Sequence, residues 1–359
     1  WNNLWYSRIQ FSDVDLNRRP SNGYRTLPFN TDYLQIVPDA SSGAPLNLPG
    51  TFPGQNFVNF HQGYTKSNAA ISDESKTQSD IIPVESTDTR SVYLLNEIAL
   101  GNYRLKHLAS YYEYDYAKRV DNDATNAADA GFSWSEIFLG STPVSALTGI
   151  DHAPPMVTDN TAQEANFASQ DLQFYSELDG AINFVSGLYY YRSDEEQFFA
   201  VREDNDDVMA VYAFLGNLVG RNTSTENWLY RGNSNLITTT YAAYGQGTWD
   251  FSSQWRLTAG LRYSQDDKDG GDTTFVQWVG DGDISRKAKD NWDSVDWSLG
   301  LDYTFMSGQM LYGSLATGYR SGGFNFMKPT ASTDVDRVAP EDLLSLELGY
   351  KGALIDNRL

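Results

Sequence analysis

Trp255-Arg256-Leu257-Thr258-Ala259-Gly260-Leu261-Arg262-Tyr263-Ser264 alternates apolar with polar or small residues at every step. A strand sends successive side chains to opposite faces, so this stretch has one greasy face and one wet face. The same stripe returns in Asp296-Trp297-Ser298-Leu299-Gly300-Leu301-Asp302-Tyr303-Thr304-Phe305. In both, the apolar face ends in aromatics while the polar face carries charge in mid-strand. Such faces suit an all-β, transmembrane antiparallel β-barrel, with lipid outside, water or polar protein inside, and Trp and Tyr at the interfaces. A soluble β-sandwich or barrel with its apolar face inward is the alternative that alternation leaves open. The mid-strand charges weigh against it, as do loops much longer than the usual span of about four to six residues.

Outward from these two stripes, short turns and long loops take turns along the chain. Strands are expected at Ser91–Leu100, Tyr103–Tyr116, Phe167–Leu178, Ala181–Arg192, Ile237–Asp250, Trp255–Gln265, Asp293–Met306, Gln309–Arg320 and Asp342–Ala353, with Trp5–Asp13 as a tenth. Turn chemistry marks one rim at Gly101-Asn102, Asp179-Gly180, Ser252-Ser253, Ser307-Gly308 and Asp356-Asn357; Asp-Gly suits the positive φ angles of a two-residue hairpin. Loops near 115–166, 193–235, 266–291 and 321–340 then fall on the other rim, as does a stretch from Asn17 to Thr89 rich in Pro, Gly, Asn and Ser. Short periplasmic turns opposite long extracellular loops are the pattern of outer-membrane barrels. No fixed-period repeat appears, which argues against a propeller or solenoid.

Composition narrows the function. The chain has 359 residues, 40% of them hydrophobic and 14% aromatic. Mean hydropathy is −0.48, and no run of about 18 apolar residues offers a membrane helix. Barrel strands place only alternate residues on lipid, so low hydropathy leaves a barrel open. The formal net charge of −21 argues against nucleic-acid partners, whose phosphates need Lys and Arg. The absence of cysteine excludes disulfides, Cys-zinc sites and thiol catalysis. Trp1-Asn2-Asn3-Leu4 is not a signal peptide, and the sequence reads as an internal piece of a longer chain.

Several segments resemble, in order, the TonB-dependent outer-membrane receptors, specifically the iron-complex receptor group. They are Gly187-Leu188-Tyr189-Tyr190, Tyr241-Ala242-Ala243-Tyr244-Gly245-Gln246, Leu257 to Tyr263, Leu311-Tyr312-Gly313-Ser314-Leu315-Ala316-Thr317-Gly318-Tyr319-Arg320 with its exit Ser321-Gly322-Gly323-Phe324-Asn325, and Pro340-Glu341 followed by Leu346-Glu347-Leu348-Gly349-Tyr350-Lys351. The resemblance spans residues 90–359. It implies part of a 22-stranded barrel, with residues 1–359 as the partial barrel domain and the N-terminal plug and C-terminal strands outside this sequence. It further implies an outer-membrane transport receptor, not an enzyme, taking up a ferric siderophore or other iron chelate with energy passed by TonB through that plug. Membrane lipid and a surface lipoprotein would be its other partners. A non-iron ligand, such as a carbohydrate or cobalamin, and a porin-like passive channel are the alternatives.

Three sets of residues are candidates for function. Arg256, Arg262, Asp296, Asp302, Glu347 and Lys351 stand on polar faces and are expected to line the lumen, either contacting the plug or simply solvating it. Loop aromatics suited to gripping a bulky chelate are Trp134, Trp228, Tyr230, Trp278, Phe324 and Phe326, with Phe132, Phe138 and Phe275 nearby; stapling loops together or forming a rim girdle is their alternative role. Glu203, Asp204, Asp206 and Asp207 form one acidic cluster, and Asp266, Asp267, Asp269 and Asp272 another, with Asp281 and Asp283 close by. These carboxylates fit either loop-bound calcium or solvated acidic loops, and neither keeps EF-hand spacing. His61, His107 and His152 are scattered; with no HExxH, no GxSxG and no GxxxxGK, no catalytic or metal site is expected.

Overall fold

The computed structural model describes residues 5–18, 82–121, 134–136, 138–139, 141–153, 156–218, 220, 224, 226–277, 279–306 and 309–352. The chain runs β1 (Trp5–Arg18), β2 (Val84–Leu100), β3 (Tyr103–Asp121), β4 (Phe138–Leu139), β5 (Thr142–Pro143), α1 (Val144–Thr148), β6 (Val157–Ser176), β7 (Ile182–Glu203), α2 (Asp206–Leu218), β8 (Trp228–Asp250), β9 (Trp255–Val276), β10 (Val279–Met306), β11 (Gln309–Arg320), β12 (Gly323–Asn325), β13 (Asp336–Val338) and β14 (Glu341–Gly352). Ten of these strands build one sheet in the order β1-β2-β3-β6-β7-β8-β9-β10-β11-β14. Each pairs antiparallel with its neighbour. This is an up-and-down meander, an arc of barrel wall.

Register carries the two-faced pattern across the sheet. Leu301 lies opposite Leu257 and Asp302 opposite Arg256; further along the same strands, Trp297 faces Leu261 and Asp296 faces Arg262. On the next strands Asp302 lies opposite Tyr312, and Ser314 opposite Glu347. The apolar face is open: Leu261 is 59% exposed, Leu299 47% and Leu301 41%. Among the described residues the leucines therefore do not close on a dry interior, and the ten long strands form one sheet and not two packed ones.

Aromatics on this face fall in two bands. Near the short turns, Trp249, Phe251, Trp255 and Tyr303 form a chain of rings with centroids 5.4, 6.2 and 4.4 Å apart. Higher up, Tyr190 and Tyr241 pair at 5.4 Å, and Tyr263 lies one strand over, opposite Ala243. Eight residues separate Trp249 from Tyr241, and eight separate Trp255 from Tyr263. Eight residues of strand span about 27 Å, which a tilt of about 40° reduces to about 21 Å, close to the apolar height of an outer-membrane barrel. Between the bands, His107 is held on the same face by Gln170, Nε2 to Oε1 2.7 Å.

The turn-side strand ends fall within two residues of the sequence expectation, as do the loop-side ends of β11 and β14, while the loop-side ends of β1 to β3 and β6 to β10 run well past it. β7 continues to Glu203 and β8 begins at Trp228, so the 193–235 loop is shorter than expected. The expected 266–291 loop is mostly strand, because β9 and β10 stay paired out to Val276 and Val279. Above the membrane neither face meets lipid, so the apolar stripe ends while the hydrogen-bonded ladder continues. The expected turn at Asp356 and most of the 17–89 loop lie outside the described residues.

A small apolar core sits among the loops. α2 buries Val208, Met209, Val211, Tyr212 and Leu215 against Trp134, Val144 and Ala153. The 208, 211, 212, 215 spacing is that of one helical face. Asn205 caps the helix, its Oδ1 accepting from the Asp207 amide at 3.1 Å. α1 ends at Gly149, whose φ of 76° is left-handed and suits a residue without Cβ.

Candidate functional site

The six charged residues expected on the lumen side all share the polar face of the sheet. Arg256 makes a two-point contact with Asp250, Nε to Oδ1 2.6 Å and Nη2 to Oδ2 2.9 Å, and lies across the ladder from Asp302. Arg262 donates from Nε to Ser264 Oγ at 2.9 Å. Its guanidinium also covers the rings of Tyr189 and Tyr244 at 5.4 and 5.6 Å. Asp296 accepts from Ser294 at 3.3 Å. Glu347 accepts from the Tyr312 hydroxyl at 2.7 Å, and the Lys351 ammonium stands 4.8 Å from the centre of the same ring. Short charge pairs and ring contacts thus line the wall and keep its charges apart from the leucines behind them.

Further from the membrane, the segment after β11 folds back over this face. β12 and β13 pair as a short ladder, Gly323 opposite Val338. Phe324 stands between Trp292 and Phe326, with centroids 5.9 and 5.6 Å away. The Arg337 guanidinium covers Phe324 at 5.6 Å and bonds to Asp290. Lys268 lies 5.6 Å from the Trp292 ring centre and donates to the Gly322 carbonyl at 2.7 Å. The junction therefore offers three aromatic rings edged by two cations. Its deepest element is the Arg286–Asp272 ion pair at 2.7 Å, with both side chains fully buried.

The structure separates the aromatic candidates. Phe324 and Phe326 belong to this junction, and Tyr230 joins it by donating its hydroxyl to the Met327 carbonyl. Tyr230 lies beyond the apolar band. Its phenol is pushed above the usual tyrosine range, first by burial and next by the Asp272 carboxylate, with the Arg286 guanidinium opposing. Trp228 sits apart, T-stacked on Phe198 at 5.9 Å beneath the Arg202 guanidinium, its Nε1 donating to Glu226 at 2.8 Å. Trp134 is 0% exposed. It packs edge-on against Tyr212 at 6.4 Å and donates from Nε1 to the Ala153 carbonyl at 2.9 Å, so in this arrangement it has no surface to give a ligand and joins two loops instead. Trp278 lies outside the described residues.

The acidic clusters engage protein groups. Glu203 Oε1 accepts the Met156 and Asn205 amides at 2.8 and 3.0 Å. Asp204 pairs with Arg119 at 2.7 Å and Arg202 at 3.4 Å, and Asp206 accepts from Asn227 at 2.7 Å. Asp269 pairs with Lys289 at 3.4 Å, and Asp283 with Arg231 at 2.8 Å. Among the described residues no group of three His, Cys, Asp or Glu side chains is arranged to hold a metal ion. His152 stands 3.6 Å from Asp151, and His61 lies outside the described residues. Arg286, Lys268 and Trp292 escaped the sequence reading. Their partners lie in a segment 30 to 54 residues away, and nothing in their immediate neighbours signals it.

Comparison with known proteins agrees with this architecture. The family model described as "TonB dependent receptor-like, beta-barrel" matches residues 102–359. Two pesticin receptors, from Yersinia enterocolitica and Yersinia pestis, are each 28% identical over 112 residues, covering 31% of this chain and 16% of their own length. The ferric yersiniabactin uptake receptor FyuA from Yersinia pestis superposes with a TM-score of 0.56 at 17% identity, over 75% of this chain and 34% of that one. The siderophore receptor PiuA from Acinetobacter baumannii does so with a TM-score of 0.56 at 13% identity, over 98% and 46%. The chain thus spans less than half the length of these relatives. The TonB-dependent receptors are outer-membrane transport proteins, and the match from residue 102 to 359 covers the strands whose faces have just been described: the chain belongs to the TonB-dependent receptor β-barrel family.

Proposed function

We propose that the protein of which this chain is a part captures a ferric siderophore outside the cell and passes it inward along the polar face, driven through TonB. The observation that carries this is the aromatic and cationic junction of Trp292, Phe324 and Phe326 with Lys268 and Arg337. A ferric chelate built on aromatic ligands has flat apolar faces and negative charge. Flat faces suit ring stacking, and local cations offset the repulsion of a chain whose net charge is −21. The ferric yersiniabactin receptor and the siderophore receptor PiuA support the same choice by their fold. The barrel wall contributes a polar path lined by charged and hydroxyl groups.

Uptake of radioactive iron by iron-starved cells tests this. Cells carrying the intact receptor, and cells lacking it, are offered ferric catecholate, hydroxamate and citrate chelates. Receptor-dependent uptake of at least one chelate, lost when the proton gradient is collapsed, is the expected result. Uptake equal in both strains for every chelate overturns the iron reading. Uptake that survives collapse of the gradient, together with steady conductance in planar bilayers, replaces it with a passive channel.

A further inference from the structure

The segment from Ser321 to Pro340 is tied to the wall beneath it by a buried charge. The Arg286 guanidinium uses each of its nitrogens. Nη1 donates to Asp272 Oδ2 at 2.7 Å and to Thr274 Oγ1 at 3.1 Å. Nε donates to the Ser332 carbonyl at 2.9 Å, and Nη2 to the Thr330 carbonyl at 2.9 Å and the Lys328 carbonyl at 3.4 Å. Three backbone carbonyls of the segment thus converge on one side chain of β10. Asp272 of β9 completes the clamp by accepting the Met327 amide at 2.6 Å. Ties at Tyr230 to Met327 and Lys268 to Gly322 secure the same stretch from two further strand positions. At Gly322 a Cβ would stand 2.6 Å from the Trp292 ring and 2.5 Å from the Val338 carbonyl, so the backbone itself presses on the wall.

A lid that opens must break its contacts cheaply, in water. Here the contacts are charge-assisted and Arg286 and Asp272 are fully buried beneath the segment, so release breaks four such bonds at once. A guanidinium also suits the task better than an ammonium, because its planar fork reaches several acceptors in fixed directions.

We propose that Arg286 is a positioning residue. It makes the segment between β11 and β14 a fixed, inward-folded constriction over the polar face, and so holds Phe324 and Phe326 as a rigid part of the ligand-contacting wall. The ligand side of this inference rests on the uptake reading above; the clamp itself does not.

The test uses the intact receptor in lipid vesicles. Amide hydrogen exchange at residues 327–332 is compared in wild type, Arg286→Lys, and the double variant Asp272→Leu with Arg286→Met, which removes both charges so that neither is left alone. Binding of the ferric catecholate, hydroxamate and citrate chelates is measured on the same samples and on Phe324→Ala. The clamp predicts exchange at least tenfold slower in wild type than in either clamp variant. Positioning predicts at least a tenfold loss of chelate affinity in the double variant and in Phe324→Ala. Wild-type amides that exchange as fast as those of the double variant overturn the clamp, whatever binds. Fast exchange in the variants with unchanged affinity overturns the positioning role. If wild type binds none of the chelates that cells were offered, the uptake reading falls while exchange still decides the clamp.

Discussion

At the scale of single residues, two positions on the polar face are tightly constrained against substitution. Gly187 of β7 lies directly across the ladder from Tyr244, and a Cβ there would meet the Tyr244 ring at 2.5 Å and the Leu172 carbonyl at 2.9 Å. The ring lies over the glycine so that its hydroxyl reaches Asp171 at 2.8 Å. Gly187→Ala is therefore expected to destabilise by about 1–3 kcal/mol through overpacking, read as a lower urea midpoint for the receptor in vesicles. Adding Tyr244→Ala relieves the ring clash and recovers part of the loss. Arg286→Met alone leaves the Asp272 carboxylate buried without its cation and costs about 3–5 kcal/mol, seen as proteolytic nicking between Ser321 and Pro340. The double variant with Asp272→Leu nicks less, because no charge is then abandoned.

At the scale of elements, order outside the membrane comes from two different devices. The 321–340 segment is held by the strand wall, whereas the segments between β3 and β6 and between β7 and β8 hold each other through α2. Trp134 is the largest fully buried side chain of that small core. Trp134→Ala is expected to cost about 3–5 kcal/mol locally and to speed amide exchange throughout α2, while exchange at residues 327–332 stays unchanged. Equal acceleration of both regions would mean that the two devices are one cooperative unit. The paired extensions of β9 and β10 connect these scales. They carry Asp272 and Arg286 far beyond the apolar band, where a long hairpin can serve as a post for a neighbouring segment.

For the molecule as a whole, the two faces of the sheet set its environment. Leu299→Arg puts a charge between the aromatic bands on the apolar side, with an expected cost of about 2–4 kcal/mol near the bilayer midplane. Its neighbour Ser298 points to the other face, so Ser298→Arg is expected to change folding into vesicles much less. Similar losses for both would contradict the assignment of faces, and urea titration of folding in vesicles measures the difference. The apolar face also accommodates a polar pair, His107 and Gln170, whose mutual hydrogen bond lowers the penalty of meeting hydrocarbon.

Local chemistry alone determined the strands that cross the membrane. Alternation such as Leu257 to Tyr263 marks a strand that meets lipid on one side, and turn residues such as Asp179-Gly180 mark its lower end. The placement of Arg256, Arg262, Asp296, Asp302, Glu347 and Lys351 on one face was legible for the same reason: a period of two needs no knowledge of distant residues. Where lipid stops, that signal stops, although backbone pairing continues. The loop-side halves of β7, β8, β9 and β10 were therefore visible only in three dimensions. So were the burial of Trp134 against α2, the stacking of Phe324 between Trp292 and Phe326, and the tie from Tyr230 to Met327. Those depend on contacts between segments tens of residues apart, whose energies come from exclusion of water and from backbone carbonyls that carry no residue-specific mark in the chain.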